Sequence, residues 1–416
     1  MAFQAYGNAE RAYYRGLGAE GQIKVARTEA SVQRLNETKV PPRFRVLLSG
    51  LPEQAKAAAI RRVECMAAEG GGSAKSRLWI DALCALPIGK YASLPLPPDA
   101  GPEQVGAFLS GMRGRLDAAV HGHAEAKGHV MRLLAQWITN RDSKGLVLGL
   151  QGPPGVGKTE LCKAVCAELG LPFGFVALGG ANDGCYLAGH SYTYEGAMWG
   201  KVADVLMKCR CMNPVLFFDE LDKVSESHHG EEVTNLLIHL TDPAQNDRFT
   251  DKYFADLDLD LSKCLVIFSY NDEARVSPIL RDRMMRVAAQ GYSTADKVKI
   301  AQRHLLPAVL AEFSLPAGSV TVDDAVVRHA VALLEDEAGV RNLRRALHDV
   351  VSHLNYERLT SPANATNATN ATNAGHDGNA DAPAPAGTIT REQVDRCVGS
   401  GRRDRASGRA NLSMYV

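Results

Sequence analysis

The chain has 416 residues, 45% of them apolar, and its 47 basic and 47 acidic side chains cancel to a formal net charge of zero. Such a length can bury more than one core, so two or three compact units are expected. Balanced charge argues against a protein held on nucleic acid or on a membrane surface by bulk electrostatics.

Residues 1–40 are polar and weakly periodic, a helical or frayed lead-in that opens with no apolar signal segment. No apolar run approaches the length of a membrane span, and a soluble, intracellular, cytoplasmic protein is expected. Pro52 to Ala68 predicts an amphipathic helix that starts at proline and breaks at Gly70-Gly71-Gly72, and Arg77 to Leu86 predicts a second, stopped by Pro87. Leu94-Pro95-Leu96-Pro97-Pro98 reads as a stiff linker. Residues 1–112 are accordingly expected as a helical accessory region. Leu116 to Ile138 predicts a helix pair, with His121-Gly122-His123 at its beginning, where a nucleotide domain often places adenine contacts. Two histidines two apart do not share a helix face, which sets a metal reading aside. The nine cysteines show neither CxxC pairs nor histidine partners at zinc spacing, and are expected as reduced thiols.

Gly152-Pro153-Pro154-Gly155-Val156-Gly157-Lys158-Thr159 lies between the apolar run Leu146 to Leu150 and a helix-prone segment from Glu160, the strand–loop–helix context of a phosphate loop. Glycines there turn successive N–H groups inward, and the following helix adds the positive end of its dipole. The expected ligand is a polyphosphate with Mg²⁺, with Lys158 on the β- and γ-phosphates and the Thr159 hydroxyl on the metal. Pro172 to Leu178 predicts a second strand, followed by a loop from Gly179 to Gly200. Val215-Leu216-Phe217-Phe218-Asp219-Glu220 is a near-continuous apolar run ending in two acids, as in a parallel strand buried on both faces. Asp219 is placed to hold Mg²⁺ and Glu220 to orient and deprotonate the attacking water. Asp222 and Lys223 read as a solvated turn. Leu265 to Asn271 predicts another buried strand, so three strands bring polar groups to one sheet edge.

Taken together these segments resemble the AAA+ ATPase module of the Lon protease family. The likeness runs from the phosphate loop through Leu178-Gly179-Gly180, Tyr194-Glu195-Gly196-Ala197-Met198, Phe218 to Lys223 and Leu240 to Asn246, then Arg283-Met284, Gly291-Tyr292, Ile300 to Pro307 and Glu337 to Leu343. Trp79 to Pro87 resembles the short helix that precedes the ATPase in that family, and the likeness covers about residues 45–360. It implies an α/β nucleotide domain at 113–292, a parallel sheet between helices, with an α-helical lid at 293–360. It also implies Asn271 as the sensor of the γ-phosphate, Arg283 as an arginine finger acting on a neighbouring subunit with Arg281 as fallback, and Arg341 as a second sensor on the lid. Guanidinium suits charge spread over phosphate oxygens, and a finger in trans implies a homo-oligomeric ring, a hexamer. Tyr194 resembles the pore aromatic that grips polypeptide; Glu195 stands where the family has an apolar β-branched residue, which would favour basic segments.

Residues 361–387, an Asn-Ala-Thr repeat running into Ala-Pro, cannot bury a core and are expected as a disordered insertion. Residues 388–416 are expected to close the lid and end in a basic tail, Arg402-Arg403-Asp404-Arg405, expected as a solvated terminus rather than a nucleic-acid contact. No counterpart of the family's serine–lysine peptidase is found before Val416, so peptidase activity is not expected. The function expected is that of an ATP hydrolase acting as a motor that unfolds or remodels polypeptide, with a separate peptidase as a candidate partner. The alternative is an ATP-binding assembly or regulatory subunit.

Overall fold

The computed structural model describes residues 6–36, 40–68, 74–97, 99–140, 146–225, 228–255, 257–334, 337–360 and 387–398. The chain divides into two compact units, Met1–Lys90 and Tyr91–Val416. The first is helical: α1 (Asn8–Gly16), α2 (Ala19–Asn36), α3 (Pro42–Leu48), α4 (Glu53–Ala68) and α5 (Ala74–Ala85). In α5 the apolar face expected from the sequence is buried at Trp79, Ile80, Ala82 and Leu83. Among the described residues no helix is long and apolar enough to cross a membrane.

The second unit opens with α6 (Pro102–Ala119) and α7 (Ala124–Thr139). The helix pair is therefore present, but its first member starts well before Leu116. Proline at its first position and Glu103 in the first turn suit a helix N-terminus. Met112 and Leu116 of α6 are buried with Leu161, Val165 and Leu169 in one core, so the boundary expected at residue 112 falls inside a helix of the nucleotide-domain core.

Around that core runs a parallel sheet of β1 (Val147–Gln151), β2 (Phe173–Ala177), β3 (Val215–Asp219), β6 (Leu265–Tyr270) and β7 (Met285–Ala288), in the order β2-β3-β6-β1-β7. The inner strands are apolar at nearly every position because helices cover both sheet faces; β3 and β6 bury Phe217, Phe218, Ile267 and Phe268 almost completely. Each such side chain contributes roughly 1.5–3 kcal/mol relative to exposure. The connecting elements are α8 (Lys158–Leu169), α9 (Cys185–Ala188), α10 (Lys201–Cys209), α11 (His228–Thr241), the hairpin of β4 (Phe249–Thr250) with β5 (Asp258–Leu259), and α12 (Pro278–Arg283). Gly170, left-handed at φ 63°, caps α8. This is the α/β architecture expected from the sequence.

The segment expected as the lid follows as α13 (Thr294–Ile300), a π-helical turn at Ala301–Leu305, α14 (Leu306–Glu312), β8 (Val320–Val322), α15 (Asp324–Leu333) and α16 (Arg341–Thr360). It has its own apolar core, including Val298, Val309, Val327, Leu347 and Val351. β9 (Gly387–Ile389) pairs parallel with β8, and a helix over 391–398 follows. Ile389 and Val394 enter the lid core. Gly387, expected in the insertion, is thus the first residue of a strand; residues 361–386 and the basic tail lie outside the described residues.

Candidate active site

Strand register assembles the site. β1 and β6 run side by side with Gln151 opposite Tyr270, so Gly152 and Asn271 leave the sheet together, and Gly152 N donates to Tyr270 O at 3.1 Å. β3 pairs with β6 so that Phe218 faces Phe268; the next pair is Asp219 and Ser269, and the Ser269 hydroxyl donates to Asp219 Oδ1. Three neighbouring strands therefore end in the phosphate loop, the acid pair and Asn271. They open into a cleft of about 410 Å³ lined by Pro154 to Glu160, Asp219, Glu220 and Asn271, with His121, Tyr292, Arg341 and Arg344 at its sides.

Gly155 and Gly157 have φ of 78° and 86°, left-handed values that favour glycine, and α8 starts at Lys158, directing its N-terminal N–H groups to the cleft. Lys158 Nζ donates to Gly152 O at 2.5 Å and to Asn271 Oδ1 at 2.7 Å, across 113 residues of sequence. Burial pushes the Lys158 ammonium below its ordinary value, and Asp219 and Asp222 oppose that shift. Glu220 sits past the strand end at φ 60°, ψ 46°, a left-handed conformation that a non-glycine residue adopts at a cost of roughly 1–2 kcal/mol. A Cβ on Gly179 would overlap the Glu220 carboxylate. Gly179 is not among the positive-φ glycines, so alanine strains no backbone there and acts through Glu220. With Glu220 as the base expected from the sequence, Gly179→Ala should lower kcat for ATP roughly tenfold with ATP affinity unchanged, because small misplacements of such a group are costly; paired turnover and nucleotide-binding titrations check it.

The oxygen donors Thr159 and Asp219 face the same cleft. A hydroxyl and a carboxylate suit Mg²⁺, which keeps waters and substrate phosphate in its shell and does not require an all-protein cage. Among the described residues no group of three or more His, Cys, Asp or Glu converges as a metal site, and all nine cysteines are free thiols.

Asp222 corrects an expectation. It is not a solvated turn residue: its side chain is buried in the turn Leu221–Lys223, where Oδ2 accepts from Asp272 N at 3.3 Å. The carboxylate ties the exit of β3 to that of β6 and adds negative charge near Lys158. Only Lys223 faces solvent, with Nζ 3.6 Å from Asp222.

The lid meets the phosphate loop through backbone. Val340 N donates to Gly155 O at 3.1 Å, and a Cβ on Gly339 would overlap the Pro154 carbonyl. Glu337 accepts from Arg341 N at 2.9 Å and Asn342 N at 2.8 Å, satisfying the N-terminus of α16 and setting Arg341 at the cleft. On the other side the Tyr292 hydroxyl donates to Val156 O at 2.7 Å, and His123 Nε2 lies 2.8 Å from both that carbonyl and the Tyr292 hydroxyl. Burial depresses the His123 imidazolium, favouring the neutral ring. Of the two histidines, His121 lines the cleft while His123 sits beneath the loop. His123 was marked in the sequence only as one of a histidine pair near expected adenine contacts; the clamps at Tyr292 and Glu337 were not singled out, although Gly291-Tyr292 and Glu337 to Leu343 lie within the family-like segments.

Two expected residues lie elsewhere. Arg283 is outside the cleft lining, on α12, where Nη1 donates to Ile238 O at 2.8 Å and pairs with Asp242 at 3.2 Å. Tyr194 is 68% exposed on the loop between α9 and α10.

Residues 148–292 match the family described as ATPase family associated with various cellular activities (AAA). The chain is 38% identical over 252 residues to a Lon protease homolog of Acanthamoeba polyphaga mimivirus, covering 60% of this chain and 25% of that protein. It is 33% identical over 302 residues to Lon protease 1 of Bacillus subtilis, 72% of this chain and 37% of the relative. With the Lon protease of Salinispora arenicola it shares 35% identity over 336 residues, 77% and 41%. The chain thus matches between about a quarter and two-fifths of the length of these curated relatives.

Proposed function

We propose that this chain, whose residues 148–292 are an AAA ATPase domain similar to that of Lon proteases, binds ATP with Mg²⁺ between phosphate loop and lid, hydrolyses it in a ring of like subunits, and uses the cycle to unfold or remodel polypeptide. The observation that carries this reading is the Lys158–Asn271 pair at 2.7 Å, an ammonium and an amide meeting at one point in the cleft that Asp219 also lines. Lys158 takes the β- and γ-phosphates, and Thr159 and Asp219 hold the metal, which supplies charge neutralisation on the phosphates. Asn271 orients the attacking water, Glu220 accepts its proton, and Arg341 brings positive charge from the lid. Arg283 acts on the nucleotide of a neighbouring subunit, and Tyr194 contacts polypeptide.

A second reading, an assembly or regulatory subunit that binds ATP without mechanical work, is favoured by one observation: the Arg283 guanidinium is engaged by its own chain at Asp242 and Ile238. Steady-state ATP hydrolysis with and without an unfolded model polypeptide separates the two. Stimulated turnover is the expected result; ATP bound but turned over indifferently to polypeptide would transfer the assignment to the assembly subunit.

A further inference from the structure

The loop from Gly189 to Gly200 leaves α9 and returns at α10 with its ends back to back. His190 N donates to Met198 O at 3.0 Å. Neither end has room for a side chain: a Cβ on Gly189 would lie 2.7 Å from Gly200 N and 2.8 Å from Asp251 Oδ1, and one on Gly200 would overlap the Leu187 carbonyl. Asp251, fully buried just after β4, closes this neck. Its Oδ2 accepts from Gly200 N at 2.8 Å and its Oδ1 from Tyr253 N at 2.9 Å, while Lys252 N donates to Ala188 O at 2.7 Å. The buried ring of Tyr253 packs edge-on against Tyr192 and Trp199, both on the loop, at 5.7 and 5.8 Å. Past the neck, Tyr194 N donates to Ser191 O at 3.1 Å, Gly196 turns the chain at φ 74°, and Tyr194, Glu195 and Met198 are exposed. Burying a carboxylate is unfavourable unless hydrogen bonds offset it, and here burial raises the Asp251 carboxyl to about 6. One carboxylate oxygen is spent on Gly200 N, joining loop to hairpin, and the other on Tyr253 N, fixing the carboxylate within its own turn.

We propose that Asp251 is the positioning residue of this loop, locking its neck so that Tyr194 and Glu195 are held out rigidly against a polypeptide. The inference rests on the polypeptide reading above. A load on the tip then passes through the neck into α9 and α10 instead of bending the loop. Gly184, just before α9, lies against Glu232 and Leu236 of α11, where a Cβ would meet each at 3.2 Å. The C-terminal end of α11 carries the Ile238 carbonyl that holds Arg283.

Asp251→Asn in the full chain keeps the shape of the side chain but turns an NH₂ group towards one of the two backbone N–H donors. Basal ATP turnover should stay within about twofold of wild type, while the polypeptide concentration giving half-maximal stimulation rises roughly tenfold, the scale of one lost hydrogen bond to a charged group. Combined with Tyr194→Ala it should add nothing to the loss from Tyr194→Ala alone. Protease nicking within 189–200 should accelerate about tenfold as the neck opens. Should Asp251→Asn fail to fold, Tyr192→Ala with Trp199→Ala removes the aromatic contacts from the loop side, and the same stimulation loss is expected. Stimulation and protection equal to wild type, or a fully additive double variant, would overturn the role of Asp251 alone. Wild-type protein indifferent to polypeptide would overturn the polypeptide reading and the gripping role with it.

Discussion

Glu220→Gln is expected to lower kcat for ATP by about 10²–10⁴-fold, the range contributed by a general base, while ATP affinity stays within about threefold. The substitution is nearly isosteric, so the left-handed turn at φ 60° and the fit beneath Gly179 are kept. What is lost is the acceptor for the proton of the attacking water. On the proposed reading phosphate is held by Lys158 and the loop N–H groups, which follow a different strand, so binding is spared. Single-turnover hydrolysis beside equilibrium binding of a fluorescent ATP analogue reads both quantities. Turnover within a few-fold of wild type would remove Glu220 from the role of base and turn attention to Asp219 as the water's partner.

Lys158→Ala is expected to weaken ATP binding by about 100-fold or more, since two hydrogen bonds from a charged donor are worth about 1.5–3 kcal/mol each. The side chain has a second task. It spans Gly152 O and Asn271 Oδ1, so its removal also frees the Asn271 amide and leaves Asp219 facing the cleft without that countercharge. Lys158→Met, which keeps the aliphatic stem, separates the packing of the stem from the ammonium: it should bind ATP as poorly as alanine, because the stem carries no charge to phosphate. Affinity within threefold of wild type in both variants would show that the loop N–H groups and the helix N-terminus suffice without the ammonium.

The strand–loop–helix geometry of the candidate phosphate loop was legible because its parts are contiguous: an apolar strand, glycines with left-handed φ at 155 and 157, and a helix starting at Lys158. The acid pair was legible for a related reason, since a buried parallel strand announces itself as an apolar run and its first polar residues mark the sheet edge. The same reading failed at Asp222. Acids one and three residues past a strand look alike in sequence, and whether one is solvated depends on how the exits of β3 and β6 lie against each other. Here that placement buries Asp222 against Asp272 N.

The sequence by itself determined the α/β class, the phosphate loop and the residues that follow each central strand, because those depend on periodicity and on neighbours a few positions away. Only the tertiary structure decided what braces them. The Lys158–Asn271 contact spans 113 residues and the His123–Tyr292 contact 169. The docking of Gly339 and Val340 on the loop, the capture of Arg283 by Asp242, and the closing of the Gly189–Gly200 neck by Asp251 likewise join distant segments. Such contacts follow from strand order and helix packing, and a hydrogen bond forms only where its donor and acceptor are brought within about 3 Å, a condition that residue type and local spacing do not encode.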